Sequence, residues 1–197
     1  MVFFLSQPKY ASDLLARFNM SDCKASPSPF QSGVKLIVDC NTPLVDATLY
    51  RQLVGSLIYL THSRPDISFA VIMVSRFMKN PHEIHWLAAK RILFYIQGSM
   101  HYGVFYSSKA NVSLLGYTDS DWAGDCSDRR STAGYIFQLG LGPISWSSKK
   151  LRALSLSSCE AEYRAAKEAA KEAVWIRHVL TELGLIQKSS TTLRCDN

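Results

Sequence analysis

The sequence predicts an α/β protein, with a mainly helical first half followed by a second half of order β-β-β-α-β. Apolar residues recur at helical spacing up to about residue 98, and the period changes to that of strands at Tyr102. A further long helical pattern begins at Ser158. The boundary is expected near residues 107–112, which divides the chain into residues 1–108 and residues 109–197.

Four helices are predicted in the first half. They are Tyr10–Phe18, Asp46–Leu60, a helix from Arg64-Pro65-Asp66 to about Met78, and Glu83–Ile96, with a connector at Ser21–Pro43. Pro65 suits a first helical turn, and Asp66 complements the positive end of a helix. The expected buried stripes are Leu49, Leu53, Leu57 and Leu60 in the second helix, and Trp86, Ala89, Leu93 and Ile96 in the last.

Strand-like alternation begins before the boundary and continues up to the long helix. The predicted strands are Tyr102–Tyr106, which precedes the boundary, and Leu114–Trp122, Gly134–Leu139, Ile144–Ser147 and Thr191–Cys195, which follow it. The turn Gly140-Leu141-Gly142-Pro143 indicates a hairpin between the third and fourth of these. The helix is expected from Ser158 to about Leu183, where Gly184 ends it.

Composition narrows the class of protein. The 197 residues are 47% hydrophobic, enough for a core, and carry five scattered cysteines without a C-x-x-C pair. This pattern argues against a zinc site or a disulfide framework and favours reduced thiols inside a cell. The two most apolar stretches, Leu53–Leu60 and Ile67–Val74, are both shorter than the roughly 20 residues of a membrane span. A soluble protein is therefore expected, in cytoplasm or nucleus. The net charge of +6 suits a polyanionic partner, although many basic proteins bind no nucleic acid.

Two aspartates lie on predicted strands, where aspartate is disfavoured. Asp119 lies within the apolar strand from Leu114, and Asp196 ends the last strand. Both aspartates could bind a ligand, or both could cap turns at strand ends. Neither aspartate by itself distinguishes between these two interpretations.

Glu162 adds a third carboxylate. Ser157 and Glu160 fit a capping box at the start of the long helix, which gives Glu160 a structural role. Glu162 lies on the alanine-rich side of that helix, whereas Lys167, Glu168, Lys171 and Glu172 are expected on the solvated side. A carboxylate at a helix–sheet contact loses hydration, and a divalent cation would compensate for that loss. Carboxylate oxygens favour Mg²⁺ or Mn²⁺ over zinc.

An ordered series of motifs resembles the Pol polyprotein of copia-type (Ty1/copia) retrotransposons. The ribonuclease H domain of that family is matched by the stretches 116–125, 128–135, 144–150, 157–163 and 195–197. The region after the polymerase core, corresponding to the reverse transcriptase thumb and connection, is matched by the stretches 5–7, 9–11, 50–57, 64–67 and 85–91. The resemblance covers nearly the whole chain.

The resemblance implies a ribonuclease H-like fold that hydrolyses the RNA strand of RNA–DNA hybrids with four carboxylates and two Mg²⁺ (or Mn²⁺) ions. By position in the motifs, the catalytic metal ligands would be Asp119, Glu162 and Asp196. Asp121, two residues beyond Asp119 and thus expected on the same strand face, would be a substitute ligand or a neighbour of the ligands.

Departures from the family pattern leave alternatives open. The chain stops before the family's final helix and fourth carboxylate, so the ribonuclease H domain is expected to be truncated at its C-terminus. The polymerase motif Tyr-x-Asp-Asp is absent, so no polymerase activity is expected. An inactive remnant that binds nucleic acid, a decayed fragment, or an interaction module are the alternatives to an active enzyme.

Four basic residues flank the expected site. Arg129, Arg130, Lys149 and Lys150 are predicted in loop or hairpin-end positions, where they would contact phosphates. Simple solvation of turn residues is an equal explanation. An RNA–DNA hybrid is the expected partner, recognised by its shape and 2′-hydroxyls.

Overall fold

The structure is a computed structural model that describes residues 2–31, 33–38, 41–107, 112–124 and 128–195. The α-helices in these ranges are α1 (Pro8–Arg17), α2 (Ala47–Leu60), α3 (Ser68–Ser75), α4 (Glu83–Gly98) and α5 (Ser158–Glu182). The strands are β1 (Val2–Ser6), β2 (Gly103–Ser107), β3 (Leu114–Ser120), β4 (Thr132–Leu139), β5 (Gly142–Lys150) and β6 (Thr192–Arg194). Among these helices, none combines the length and the apolar character that a membrane span requires.

The chain forms two compact units. The N-terminal unit is Leu5–Val104, and the C-terminal unit is Met1–Phe4 together with Phe105–Asn197. The sequence-based boundary between residues 108 and 109 lies outside the described residues. The two strands β1 and β2 pair in a small sheet of their own.

The N-terminal unit is a helical core built on α1 to α4. Asp46 caps α2, because its carboxylate accepts hydrogen bonds from the backbone N–H groups of Thr48 (2.7 Å) and Leu49 (3.3 Å). The helix expected from Arg64 to Met78 differs from the prediction. It begins as one 3₁₀ turn, Pro65–Ile67, and its α-helical part ends at Ser75.

A buried arginine organises one end of this core. Arg64 is 2% exposed. Its guanidinium donates to the carboxylate of Asp66 at 2.8 Å and to the carbonyl of Ser99 at 2.9 Å. The rings of Tyr95 and Tyr102 flank the guanidinium at 5.7 and 5.5 Å. The buried charge is thus paired and hydrogen-bonded, as burial of an ion requires.

Two residues of the expected buried stripes, Leu49 and Trp86, are not fully buried. Leu49 is 41% exposed, and Trp86 is only partly buried. The buried side of α4 instead includes His85 and Ile92, both 0% exposed.

The C-terminal unit contains a four-stranded mixed sheet of order β5-β4-β3-β6. β4 pairs antiparallel with both β3 and β5, and β6 pairs parallel with β3. Helix α5 packs on this sheet through Ala161, Ala165 and Ala169, whose small side chains permit close approach. The predicted α/β class and the order β-β-β-α-β are confirmed.

Candidate functional site

The candidate site lies at the edge of the sheet where β3 and β6 end. The two strands are parallel and in register, with Tyr117 opposite Arg194. Their carboxyl ends therefore meet at the same edge, which is where α/β sheets commonly bind ligands. Asp119 follows Tyr117 by two residues, and Asp196 follows Arg194 by two residues in the sequence. Asp196 lies outside the described residues.

Glu162 lies at this edge on α5. Its carboxylate accepts a hydrogen bond from the thiol of Cys195, with Sγ and Oε2 3.2 Å apart. Cys195 directly follows β6, so the contact holds the Glu162 carboxylate beside the end of that strand. An open groove of about 580 Å³ surrounds the pair. Its lining consists of Ser158, Cys159, Glu162, Tyr163, Ala166 and Cys195.

The start of α5 fixes the position of Glu162. The Ser157 hydroxyl accepts a hydrogen bond from the backbone N–H of Glu160 at 3.1 Å, as expected for the N-cap. The Glu160 carboxylate accepts from the backbone N–H of Leu156 (2.7 Å) and from Arg164. These hydrogen bonds lower the pKa of Glu160, the backbone one most. Glu160 is thus used at the helix end, which leaves Glu162 as the carboxylate at the groove.

Asp119 lies at the same edge but on the other face of the sheet. Leu114 and Gly116 face α5, since Leu114 packs in its core cluster and a side chain at Gly116 would meet Phe137 there. Alternation along the strand then turns Asp119 away from α5. Asp119 is exposed, and its carboxylate accepts a hydrogen bond from the backbone N–H of Ser120 at 2.7 Å. The structure therefore brings Asp119 and Glu162 to one edge but not to one face.

Asp121 directly follows the end of β3 at Ser120. Its carboxylate accepts a hydrogen bond from the backbone N–H of Thr132, and its own N–H donates to the Thr132 carbonyl at 3.0 Å. Both bonds tie the segment after β3 to the start of β4, which is a structural role.

The four basic residues do not form one surface. Asp128 contacts both Lys150 (2.9 Å) and Arg130 (3.5 Å). Lys149 lies opposite Ala133, which packs against α5, so Lys149 and Lys150 point to opposite faces of the sheet. Lys149 and Lys150 are the last two residues of β5, so they lie at the end of the hairpin that β4 and β5 form.

A polar cluster between α5 and β5 corrects the expectation that Glu168 and Glu172 lie on the solvated side. Glu168 and Glu172 line a cavity of about 280 Å³ between the helix and the sheet. The Ser145 hydroxyl donates to the Glu172 carboxylate at 2.6 Å. Burial, and then the charge of Glu172, raise the pKa of Tyr135. The period-two series Ser145, Ser147, Lys149 was the available signal for this cluster.

The donor atoms at the edge suit a hard cation, because carboxylate oxygens are the ligands that Mg²⁺ prefers. Within the described residues, however, no three His, Cys, Asp or Glu side chains are grouped to hold a metal ion. The third expected ligand, Asp196, is not among those residues.

Comparison with known proteins gives strong sequence similarity. The chain is 46% identical to the retrovirus-related Pol polyprotein from transposon RE2 of Arabidopsis thaliana, and 48% identical to that from transposon RE1 of the same plant. Each alignment covers 98% of this chain and 13% of the relative. Identity to the retrovirus-related Pol polyprotein from transposon TNT 1-94 of Nicotiana tabacum is 41%, over 98% of this chain and 15% of the relative.

The chain thus spans about one seventh of the length of these curated relatives. No protein-family model and no solved structure matches it. The similarity to these three relatives extends along 98% of the chain. The chain belongs to the copia-type retrotransposon Pol polyprotein family.

Proposed function

We propose that the chain supplies ribonuclease H activity, hydrolysis of the RNA strand of RNA–DNA hybrids, through residues 109–197. The observation that carries this proposal is the position of Glu162. Its carboxylate is held at the end of β6 by Cys195, the residue before Asp196, at the edge where Asp119 also lies. The Pol polyprotein relatives supply a nucleic-acid-processing context. Residues 1–108 would correspond to the thumb and connection of a reverse transcriptase.

Hydrogen bonds position two of the three proposed ligand carboxylates. Asp119, Glu162 and Asp196 would hold the cations at the end of the sheet, Asp119 from the face opposite α5 and Glu162 from α5 itself. Two bound Mg²⁺ or Mn²⁺ ions would activate a water molecule and stabilise the leaving oxygen. The Cys195 thiol orients Glu162, and the Ser120 N–H orients Asp119. In this proposal Asp121 organises the segment between β3 and β4 and is not itself a ligand.

The basic residues near β4 and β5 would contact the hybrid backbone. Arg129 and Arg130 are exposed and lie in the segment that precedes β4. Phosphate contacts of this kind orient a duplex without reading its bases. Lys150 shares Asp128 with Arg130, so this anion offsets part of the local positive charge.

The test is cleavage of a labelled RNA–DNA hybrid in Mg²⁺ or Mn²⁺. We expect cutting that requires the metal and is abolished by Asp119→Asn and by Glu162→Gln, because both keep the side-chain size but remove the charge. Glu182→Gln, at the exposed last residue of α5, is the matched control and should retain cleavage. Circular dichroism verifies that each variant is folded.

A second candidate is binding of hybrids without cleavage. It is favoured by the net charge of +6, which suits a polyanionic partner whether or not the chain cuts it. Retained hybrid binding by a folded chain that never cuts in either metal would contradict the nuclease and support this candidate.

A further inference from the structure

Two cysteine thiols share the groove at the candidate site. Of the three cysteines that the structure describes, Cys159 and Cys195 are exposed, while Cys23 is partly buried in the other unit. Burial raises the pKa of the Cys23 thiol, which disfavours its reactive thiolate form. The exposed pair is therefore where thiol chemistry is expected.

Glu162 links the two thiols in space. The Cys195 thiol is 3.2 Å from the Glu162 carboxylate. Cys159 precedes Glu162 by three residues on α5, and residues so spaced are neighbours on a helix surface, with Cβ atoms about 5–6 Å apart. Both thiols line the same groove as Glu162.

We propose that Cys159 and Cys195 form an oxidation-sensitive dithiol that closes to a disulfide when it meets a small disulfide such as oxidised glutathione. A disulfide needs Cα atoms about 4.4–6.8 Å apart. Cys159 is the second residue of α5 and Cys195 is the first after β6. Both cysteines thus lie at the ends of their elements, where a backbone movement that brings them together leaves the sheet and the body of the helix intact.

The chemistry balances without another reactant. One protein thiolate attacks glutathione disulfide, forms a mixed disulfide and releases a glutathione thiolate, which takes up a proton. The second protein thiol loses its proton, attacks the modified protein sulfur and displaces the other glutathione, which is protonated in turn. Two protein thiols are oxidised, and one glutathione disulfide is reduced to two glutathione thiols.

Closure of the disulfide changes the candidate site. The Cys195 thiol is the donor to Glu162, and a disulfide sulfur has no hydrogen to donate. Oxidation therefore releases the Glu162 carboxylate from its partner at the end of β6. The dithiol itself does not depend on the proposed nuclease, so its test is independent of cleavage.

The experiment treats the folded chain with oxidised glutathione, blocks remaining thiols by alkylation, and maps tryptic peptides by mass spectrometry without reduction. Trypsin cuts after Arg152, Arg164 and Arg194, which separates residues 153–164 from residues 195–197. The expected product is these two peptides joined by a disulfide, with a loss of two hydrogen atoms from the intact chain. Cys159→Ser and Cys195→Ser should each abolish it.

The same treatment in urea is the matched control, because the proposal requires the folded groove. A strong fall in the yield of the cross-linked peptide on unfolding supports the proposal. Equal yields in both conditions would overturn it. So would a folded chain that carries only glutathione adducts, or only cross-links between separate chains on a non-reducing gel.

Discussion

His85 connects three parts of the N-terminal unit through a neutral imidazole. Its Nδ1 accepts a hydrogen bond from the backbone N–H of His82, and its Nε2 donates to the carbonyl of Ile37, both at 2.9 Å. The ring stacks on Phe77 with centroids 3.8 Å apart. Because Nδ1 is an acceptor here, a proton on that atom would abolish one of the two bonds. The sequence indicated an amphipathic α4 but gave no sign of this network, because its partner Ile37 lies 48 positions from His85.

The pKa of His85 predicts an acid-sensitive core. Burial lowers this pKa below the ordinary 6.5; the hydrogen bond to the Ile37 carbonyl opposes this shift, and the charge of His82 adds to it. The unfolded chain then binds more protons than the folded one below about pH 6.5, so stability is complete above that pH and falls as pH decreases. We expect the free energy of unfolding, from native-state hydrogen exchange of α4 amides, to decrease between about pH 7.5 and pH 5.5.

Two histidine variants test this assignment. His85→Gln should lose most of the pH dependence, because no imidazole remains to be protonated. His101→Gln, at an exposed position of the same unit, should keep it. A pH dependence that is unchanged in His85→Gln would contradict the role of His85.

Some features of the candidate site could be predicted from the sequence and others could not. The sequence identified Glu162 over Glu160, and the capping contacts of Glu160 agree with that choice. It did not identify Cys195 as the hydrogen-bond donor to Glu162, because that contact joins residues 33 positions apart. It also did not identify the hydrogen bonds between Asp121 and Thr132, because they join residues 11 positions apart.

At the scale of elements, the sequence predicted the helices whose ends are marked by capping residues. Gly184, with a φ of 76°, follows α5 by two residues, and Asp46 precedes α2. β1 was not predicted. Its partner β2 lies about 100 residues later, so no local pattern reveals the pairing. The face of α5 that carries Glu172 was also misassigned, because Ser145 compensates the carboxylate from another element.

The cap of α2 yields a prediction for this element. Asp46→Ala removes the acceptor for two backbone N–H groups at the start of the helix and should cost about 1 kcal/mol of the stability of the N-terminal unit. Asp46→Asn retains a side-chain oxygen and should cost much less. Hydrogen exchange of α2 amides measures both effects. Equal losses in the two variants would show that the carboxylate charge, rather than the cap geometry, stabilises this helix end.

At the scale of the whole molecule, charge is the property most directly given by the sequence. The net charge is +6, and the exposed Arg129 and Arg130 lie beside the strands of the candidate site. A hybrid that binds through its phosphates releases counterions, so its affinity falls as the salt concentration rises. The slope of log affinity against log salt is proportional to the number of phosphate contacts. Asp128 limits this effect locally, because it already pairs with Lys150 and Arg130.

The proposed hybrid binding therefore predicts a specific change in salt dependence. Replacing Arg129 and Arg130 together by alanine should reduce the slope of log affinity against log salt by about 2, one for each lost phosphate contact. Replacing Lys9 and Lys79, which are exposed on the N-terminal unit, removes the same charge and is the control. Fluorescence anisotropy of a labelled hybrid measures both slopes. If the two double variants change the slope equally, net charge alone governs binding, and the assignment of the arginines to the hybrid interface is wrong.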